Sequence, residues 1–488
     1  MNARLSNSTV AGLPASVEWP RYDRGATKAG IVHLGLGAFH RAHQAVFVDD
    51  CLNAGETGWG IVGASLRSPD TRDALAPQDG LFTLSVVDGS GENLRIVGSI
   101  LSCLVAPENP AALVQALSDP GTRIVTLTVT EKAYLRDASG ALDEDHPDIR
   151  WDLDNPAAPR TVYGFLTEAI VRRRTANADP FTVLCCDNLP ANGRTLRQLL
   201  LTFAGLRDAK LRRFMEENIA FPSSMVDRIV PATTDADRAR ISKALGVDDA
   251  WPVTTEPFLQ WVIEDDFPSG RPNWERFGAE MVKDVAPFED MKLRLLNGSH
   301  SAIAYLGLLM GKETVSDAFA DQSIRTFVSR LWAEAIPTLP AGAGLRPQVY
   351  TEQLSSRYDN PVLKHRTAQI ANDGSQKLPQ RIIATALARA GAGEGFDHLM
   401  LTPAAWIAAC EARGGTLPPG HFTDPLDPAL TGILAKGGTA AQTVREVFDT
   451  AGFASGAPHR QDLMDIAAMH LDSLRRCGAA ATLETLGS

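Results

Sequence analysis

Long apolar runs are missing: nowhere in the 488 residues do the roughly 18 consecutive apolar residues of a membrane span occur. Positive charge is also in short supply. Against 58 Asp and Glu stand 47 Lys and Arg, a net charge of −11 with no basic cluster, which excludes non-specific affinity for nucleic acid or an anionic membrane surface. Cysteine is scarce as well. Six are scattered (Cys51, Cys103, Cys185, Cys186, Cys410, Cys477), with no CxxC and no paired Cys/His spacing. That pattern offers neither a zinc site nor a disulfide framework; it fits ordinary buried thiols in a reduced, cytoplasmic setting. Residues 1–20 lack a basic start followed by an apolar core, so no secretory signal is expected there. Internal repeats and low-complexity tracts are absent too.

What is present is an ordinary globular composition, 44% hydrophobic and 22% charged, on a chain long enough for two or three domains. From residue 30, strand and helix patterns alternate. GIVHLGLG (30–37), GIVGASL (60–66), RIVTLTVT (123–130) and FTVLCC (181–186) are short apolar runs, and 82–100 reads as two strands joined by a DGSG turn. Helices are expected at 161–176 and 191–206. Such alternation predicts an α/β domain with a mainly parallel sheet and helices on both faces. After 285 the β-branched runs stop, and helical periodicities at 321–335, 380–391, 403–412, 439–450 and 460–475 predict a mainly α-helical second domain. The expected division is 1–285 and 286–488.

HLGLGAFHRAHQ (33–44) places Gly35 and Gly37 directly after the first strand. Glycines there permit a tight turn and let backbone N–H groups approach a pyrophosphate, which makes Gly35, Leu36, Gly37, Ala38, Phe39, His40 and Arg41 candidate cofactor contacts. His40 stands where the usual fingerprint has its third glycine, so a glycine-rich turn without ligand is the competing reading. After the second strand comes LRSPD (66–70). Asp70 is placed to accept from an adenosine ribose 2′-hydroxyl, favouring NAD, whereas Arg67 would receive the 2′-phosphate of NADP. Ligands of open parallel sheets bind outside the carboxyl ends of strands, so Thr130, Glu131, Lys132, Asp187 and Asn188 are further candidates. A turn with Asn192 as helix N-cap is the plainer reading of DNLPANG, and an internal ion pair that of Asp227 and Arg228.

KLRLLNGSHSAIAYLG (292–307) poses the sharpest question, because an otherwise apolar helix carries Lys292, Asn297 and His300. At roughly 100° per residue, with Lys292 as origin, Glu289 falls at about 60°, His300 at about 80° and Asn297 at about 140°, all on one face. Arg294 falls on the other side, towards solvent. Gly298 weakens the helix, which implies close approach by a ligand or another backbone. A buried Lys–Glu pair with a core histidine would explain the set without function. Alcohol oxidation would also use it: a lysine depressed by burial and by the start of a helix is a base for the hydroxyl proton. Asn188 and Asn297 would donate amide hydrogens to the reacting oxygen, His300 would bond the same oxygen or its neighbour, and Glu289 would relay the proton. No metal is needed.

The chain resembles the mannitol dehydrogenase family, the polyol-specific long-chain dehydrogenases/reductases. IVHLGLGAFHRAHQ, SLRSPD, TVTEKAY, CCDNLPANG, MVDRIVPAT, EPFLQWVIED and KLRLLNGSH carry the likeness in order along nearly the whole length. The resemblance implies an N-terminal Rossmann-like domain with NAD(P), a helical C-terminal domain, metal-independent chemistry and a chain able to act as a monomer. It implies Lys292 as general base, Asn188 and Asn297 holding the reacting oxygen, His300 assisting substrate binding, Asp227 supporting the site and Glu289 as a relay. TEKAY (130–134) where polyol oxidisers typically read TEGGY, Gln369 where they tend to carry arginine, and NPVLKHRTAQIANDGSQKLPQR (360–381) look like the D-mannonate oxidoreductase (fructuronate reductase) branch. That branch must hold a sugar-acid carboxylate, for which Lys132, Lys364, His365 and Arg366 are candidates, with a solvated helix end the alternative for the last three. A catalytically silent NAD-binding sensor is opposed by the intact lysine set.

Overall fold

The computed structural model describes residues 3–487 apart from 138, 343, 363, 414 and 419, and it divides into two compact units, Met1–Ala286 and Pro287–Ser488. In the first unit the short apolar runs become strands: β1 (Ala29–Leu34), β2 (Gly60–Ser65), β3 (Phe82–Asp88), β4 (Gly91–Val97), β5 (Ile100–Val105), β6 (Ile124–Leu127) and β7 (Thr182–Cys185). Five of them make an all-parallel sheet in the order β5-β2-β1-β6-β7. Alternate residues feed opposite cores. Ile31, Ile61 and Ile124 pack with Phe47 and Trp261 on one face, while Val32, Leu34, Leu127 and Val183 pack with Phe165 and Phe203 on the other. Burial on both faces is why these strands are apolar and β-branched almost throughout. The chain leaves β1 for β2 on one side and later places β6 on the other. The strand order therefore reverses between β1 and β6, and a crevice at the carboxyl ends of those strands is where such sheets bind ligands.

Two small sheets complete the unit. In one, β3 and β4 form the antiparallel hairpin, its turn held where Asp88 accepts from the N–H and hydroxyl of Ser90, with β9 (Val253–Thr255) alongside β3. In the other, β10 (Gln260–Glu264) pairs with β8 (Ser224–Asp227) and β11 (Glu280–Val282). The stretch 82–100 does supply two strands, but β5 begins at its end and takes the edge of the main sheet. With only Gly98 and Ser99 between β4 and β5, no turn signature separates them in sequence.

The second unit is helical. Every residue from Gly298 to Leu308 of the helix Gly298–Leu309 is buried, so it is a core helix with no solvent-exposed face. It packs against Asp397–Ala412, buried from Leu399 to Cys410 despite Pro403 in its interior. That helix starts six residues earlier than the predicted 403, because proline does not end it. The helix predicted to end at 475 continues to Gly487 across a break at Gly478, where φ is 79°. Two segments, Lys292–Asn297 and Pro379–Ile383, are π-helical. Among the described residues no helix is long and apolar enough to cross a membrane.

Candidate active site

The turn after β1 is built around one glycine. Gly35 donates to the Ala64 carbonyl at 2.9 Å and has φ +96°; an added Cβ would lie 2.2 Å from the Thr128 carbonyl oxygen. No side chain fits between the end of β1 and the end of β6. Gly37 then opens the short helix Ala38–Ala42, whose first N–H groups have no partner within the helix. Exposed Gly37 and half-buried Gly35, Ala38 and Phe39 thus present backbone that an anionic pyrophosphate fits. Leu36, His40 and Arg41 point inward. Leu36 fills the space above Gly63, and the Arg41 guanidinium donates to the Trp251 carbonyl, 5.3 Å from the Phe82 ring centroid. Burial lowers its pKa to about 10.

His40, in place of the third glycine, is fully buried, and its ring stacks on His33 with centroids 3.3 Å apart. His33 in turn hydrogen-bonds Thr126 Oγ1 at 2.7 Å and Thr128 Oγ1 at 2.9 Å. The histidine therefore pins the turn to the sheet by stacking, where a glycine would have allowed close helix packing. Burial is the main cause that depresses both imidazoles, His33 to about 3, with His33 adding to the effect on His40. Arg67 and Asp70 lie exposed after β2; Asp70 starts the helix Asp70–Leu75 and accepts from Ser68 Oγ at 2.9 Å.

At the ends of β6 and β7 the structure brings Thr130 and Asp187 together. The Asp187 carboxylate is buried and accepts from the N–H of Val129 (3.1 Å), the N–H of Thr130 (2.9 Å) and the Tyr134 hydroxyl (2.7 Å). It clamps a strained segment, for Thr130 has φ 73°, a rare conformation for a β-branched residue. Asn188, next along, is exposed at the carboxyl end of β7, as are Glu131 and Lys132 beyond β6, with Glu131 paired to Arg136 at 2.6 Å. Asn192 is not the N-cap, which is Ala191. Its amide instead bonds the Asp187 carbonyl and both the N–H and carbonyl of Ser224, tying β7 to β8. Asp227 is buried at the end of β8, while Arg228 spends its donors on the Glu256 and Ala42 carbonyls.

In the second unit, Lys292 to Asn297 departs from the regular helix the wheel assumed. An i→i+5 turn is wider than an α turn, so Asn297 swings back towards the direction of Lys292. The widened turn displaces carbonyls from their usual partners, and side chains take them up. Trp332 Nε1 donates to the Leu295 carbonyl at 3.0 Å, Tyr358 Oη to that of Leu296 at 3.3 Å, and Ser301 Oγ to that of Asn297 at 3.2 Å. Arg294 does not face solvent; it is half-buried, bonded to Asp290 at 3.2 Å and to Thr338. Gly298 admits another backbone, as its propensity implied: an added Cβ would lie 3.3 Å from the Arg381 carbonyl oxygen.

Lys292 and Asn297 are half-buried, and His300 is 9% exposed. The His300 ring lies 5.0 Å from Tyr358 and 5.4 Å, edge-on, from His365. Its pKa lies well below the ordinary imidazole value, first through burial and then through His365, Arg357, Arg381 and Lys292. His300 is therefore neutral at pH 7 and able to donate or accept one hydrogen bond. Of the three residues proposed for a carboxylate in this unit, His365 reaches this group; Lys364 and Arg366 are exposed. Arg357 and Arg381 were not singled out from sequence. The signal for Arg381 was present, in the run QKLPQR that ends with it.

A glycine turn at the reversal point of a parallel sheet is the mark of a nucleotide-linked oxidoreductase of the Rossmann class, and the separate helical unit carries half-buried Lys292 and Asn297 with buried His300. Residues 29–276 match the mannitol dehydrogenase Rossmann domain, and residues 284–475 match the mannitol dehydrogenase C-terminal domain. The chain belongs to the mannitol dehydrogenase family. It is 42% identical to a mannitol 2-dehydrogenase of Cereibacter sphaeroides, over 89% of this chain and 91% of that one. It is equally 42% identical to a D-mannonate oxidoreductase of Escherichia coli, over 87% and 88%. The mannitol 2-dehydrogenase of Pseudomonas fluorescens, solved as a ternary complex with NAD and D-mannitol, superimposes with a TM-score of 0.84 at 36% identity, covering 99% of both chains.

Proposed function

We propose that this protein interconverts D-mannonate and D-fructuronate with NAD. The observation that supports the sugar-acid reading is His365, a carboxylate candidate, beside His300: the two rings lie 5.4 Å apart, and the Arg357 guanidinium is near enough to act on both. A guanidinium suits the carboxylate that a sugar acid brings and a polyol lacks.

In this reading NAD, held against the backbone of Gly35 to Phe39, would supply the hydride acceptor for the carbon bearing the reacting hydroxyl. Lys292 accepts the hydroxyl proton, and Glu289, one turn before it, passes that proton to solvent. The Asn297 amide donates to the developing alkoxide, and Asn188 is assigned the same task. Neutral His300 bonds the oxygen or the adjacent hydroxyl without competing for the proton, and Asp227 supports the site. Asp70, exposed beyond β2, favours NAD over NADP.

The second reading is mannitol 2-dehydrogenase, since the chain is as similar to an enzyme of that name as to a D-mannonate oxidoreductase. The twofold symmetry of mannitol makes its C2 and C5 equivalent. Oxidation of mannonate at C5 thus presents nearly the same stereocentre, with a carboxylate in place of the far CH₂OH. The test is product identification: D-mannonate with NAD should yield a ketone at C5, seen by carbon NMR, together with an equivalent of NADH. Turnover of mannitol with none of mannonate would give the assignment to the second reading.

A further inference from the structure

The two π-helical turns of the second unit pack against each other. Arg381 lies in the later one, Pro379–Ile383, and its Nη1 reaches back to the earlier one, 3.4 Å from the Asn297 carbonyl oxygen and 3.2 Å from Ser301 Oγ. The approach is close in both directions. A Cβ on Gly298 would stand 3.3 Å from the Arg381 carbonyl oxygen and 3.5 Å from Ile382 Cδ1. Arg381 Nε is buried without a hydrogen-bond partner. No ion pair joins Arg381 to any described carboxylate, so its charge is held by a carbonyl and a hydroxyl alone. A mostly buried guanidinium with so little compensation is expensive to keep, and a hydrophobic residue would pack the two turns at lower cost.

We infer that Arg381 is a positioning residue for the reaction: by gripping the Asn297 carbonyl and Ser301 it holds the first π turn in register and so aims the Asn297 amide and His300. The contact is to the backbone of the residue that meets the reacting oxygen. It places Arg381 beneath the reacting end and not at a distal carboxylate, which in mannonate is several bonds away from C5. Gly298 is the other half of the device, since its missing side chain lets the turns approach closely enough for the guanidinium to span them. The inference rests on the roles proposed above for Asn297 and His300.

The test compares the full-length Arg381→Gln, Arg381→Lys, Gly298→Ala and Lys292→Ala variants with the parent, using NADH and whichever of D-fructuronate and D-fructose the parent reduces faster. A misplaced oxyanion donor predicts that Arg381→Gln lowers kcat by about 10- to 100-fold while the substrate KM stays within about threefold. NADH binding, read by fluorescence titration, should not change, and Arg381→Lys should recover part of the loss. Gly298→Ala should lower kcat in the same way by about tenfold, and the double variant should lose less than the product of the two single losses. A raised KM with unchanged kcat in Arg381→Gln would make Arg381 a substrate anchor and overturn the inference, as would parental kinetics in either single variant. Should Arg381→Gln not fold, the Gly298→Ala result decides alone. Lys292→Ala separates the two claims: turnover surviving there defeats the base assignment, whereas a silent Lys292→Ala beside a fully active Arg381→Gln defeats only the positioning role.

Discussion

The glycine turn at Gly35 and the π turn at Lys292 solve opposite problems. The first presents backbone, and its decisive feature is a side chain that is not there: a Cβ on Gly35 would strike the Thr128 carbonyl. The second presents polar side chains, and its decisive feature is a backbone that leaves the α-helical register between Lys292 and Asn297. A turn of the first kind is specified by residue type and place along a strand, whereas the second depends on what packs against the helix. Trp332, Tyr358, Ser301 and Arg381, which take up the displaced carbonyls, come from as far along the chain as residue 381.

This contrast can be broken at either end. The largest effect is expected at the side-chain end, where Lys292→Ala should lower turnover by about 10³-fold, the scale of a lost general base, with NADH affinity unchanged. Steady-state rates and a binding titration check both halves. At the backbone end, Gly35→Ala should act in reverse. It should destabilise the first unit by about 2–3 kcal/mol through strain and clash, and weaken NADH binding more than it changes any catalytic step. Thermal unfolding with and without NADH reads this.

A smaller loss, about 1–3 kcal/mol in urea unfolding, is expected for Asp187→Asn, since the carboxylate accepts from two N–H groups and a hydroxyl at a strained segment. Stability should also depend on pH. Folding depresses His33 to about 3 and His40 well below its ordinary value, so the unfolded chain binds protons that the folded one does not. Stability should be fully present above roughly pH 6.5 and fall as pH drops below it, by up to about 1.4 kcal/mol per pH unit for each imidazole. Denaturant midpoints at pH 7 and pH 5 test the sign, and His40→Gln should flatten the slope.

Much of the first unit was legible because its strands are short apolar runs with polar ends, and the β1, β2, β6 and β7 segments stand where those runs stand. β5 and β8 to β11 escaped prediction: they mix apolar and polar residues, β5 follows β4 with no turn signature between them, and their pairing partners lie far along the chain. In the site, Gly35 was readable from its place after a strand. The inward turn of His40 and Arg41 was not, since their neighbours His33, Trp251 and Phe82 are set by the tertiary fold. Lys292, Asn297 and His300 were legible as polar residues in an apolar helix, even though a 100° wheel misplaced Asn297. Arg381 was not legible, because nothing local distinguishes a buried arginine from a solvated one.

The sugar-acid proposal makes the substrate carboxylate the group that decides specificity. The direct measurement is the ratio of kcat/KM for D-fructuronate to that for D-fructose, each reduced by NADH under the same conditions. The expected ratio is at least about 100 in favour of fructuronate, the discrimination a site gains from hydrogen-bonding a substrate carboxylate. A ratio at or below about one would contradict it.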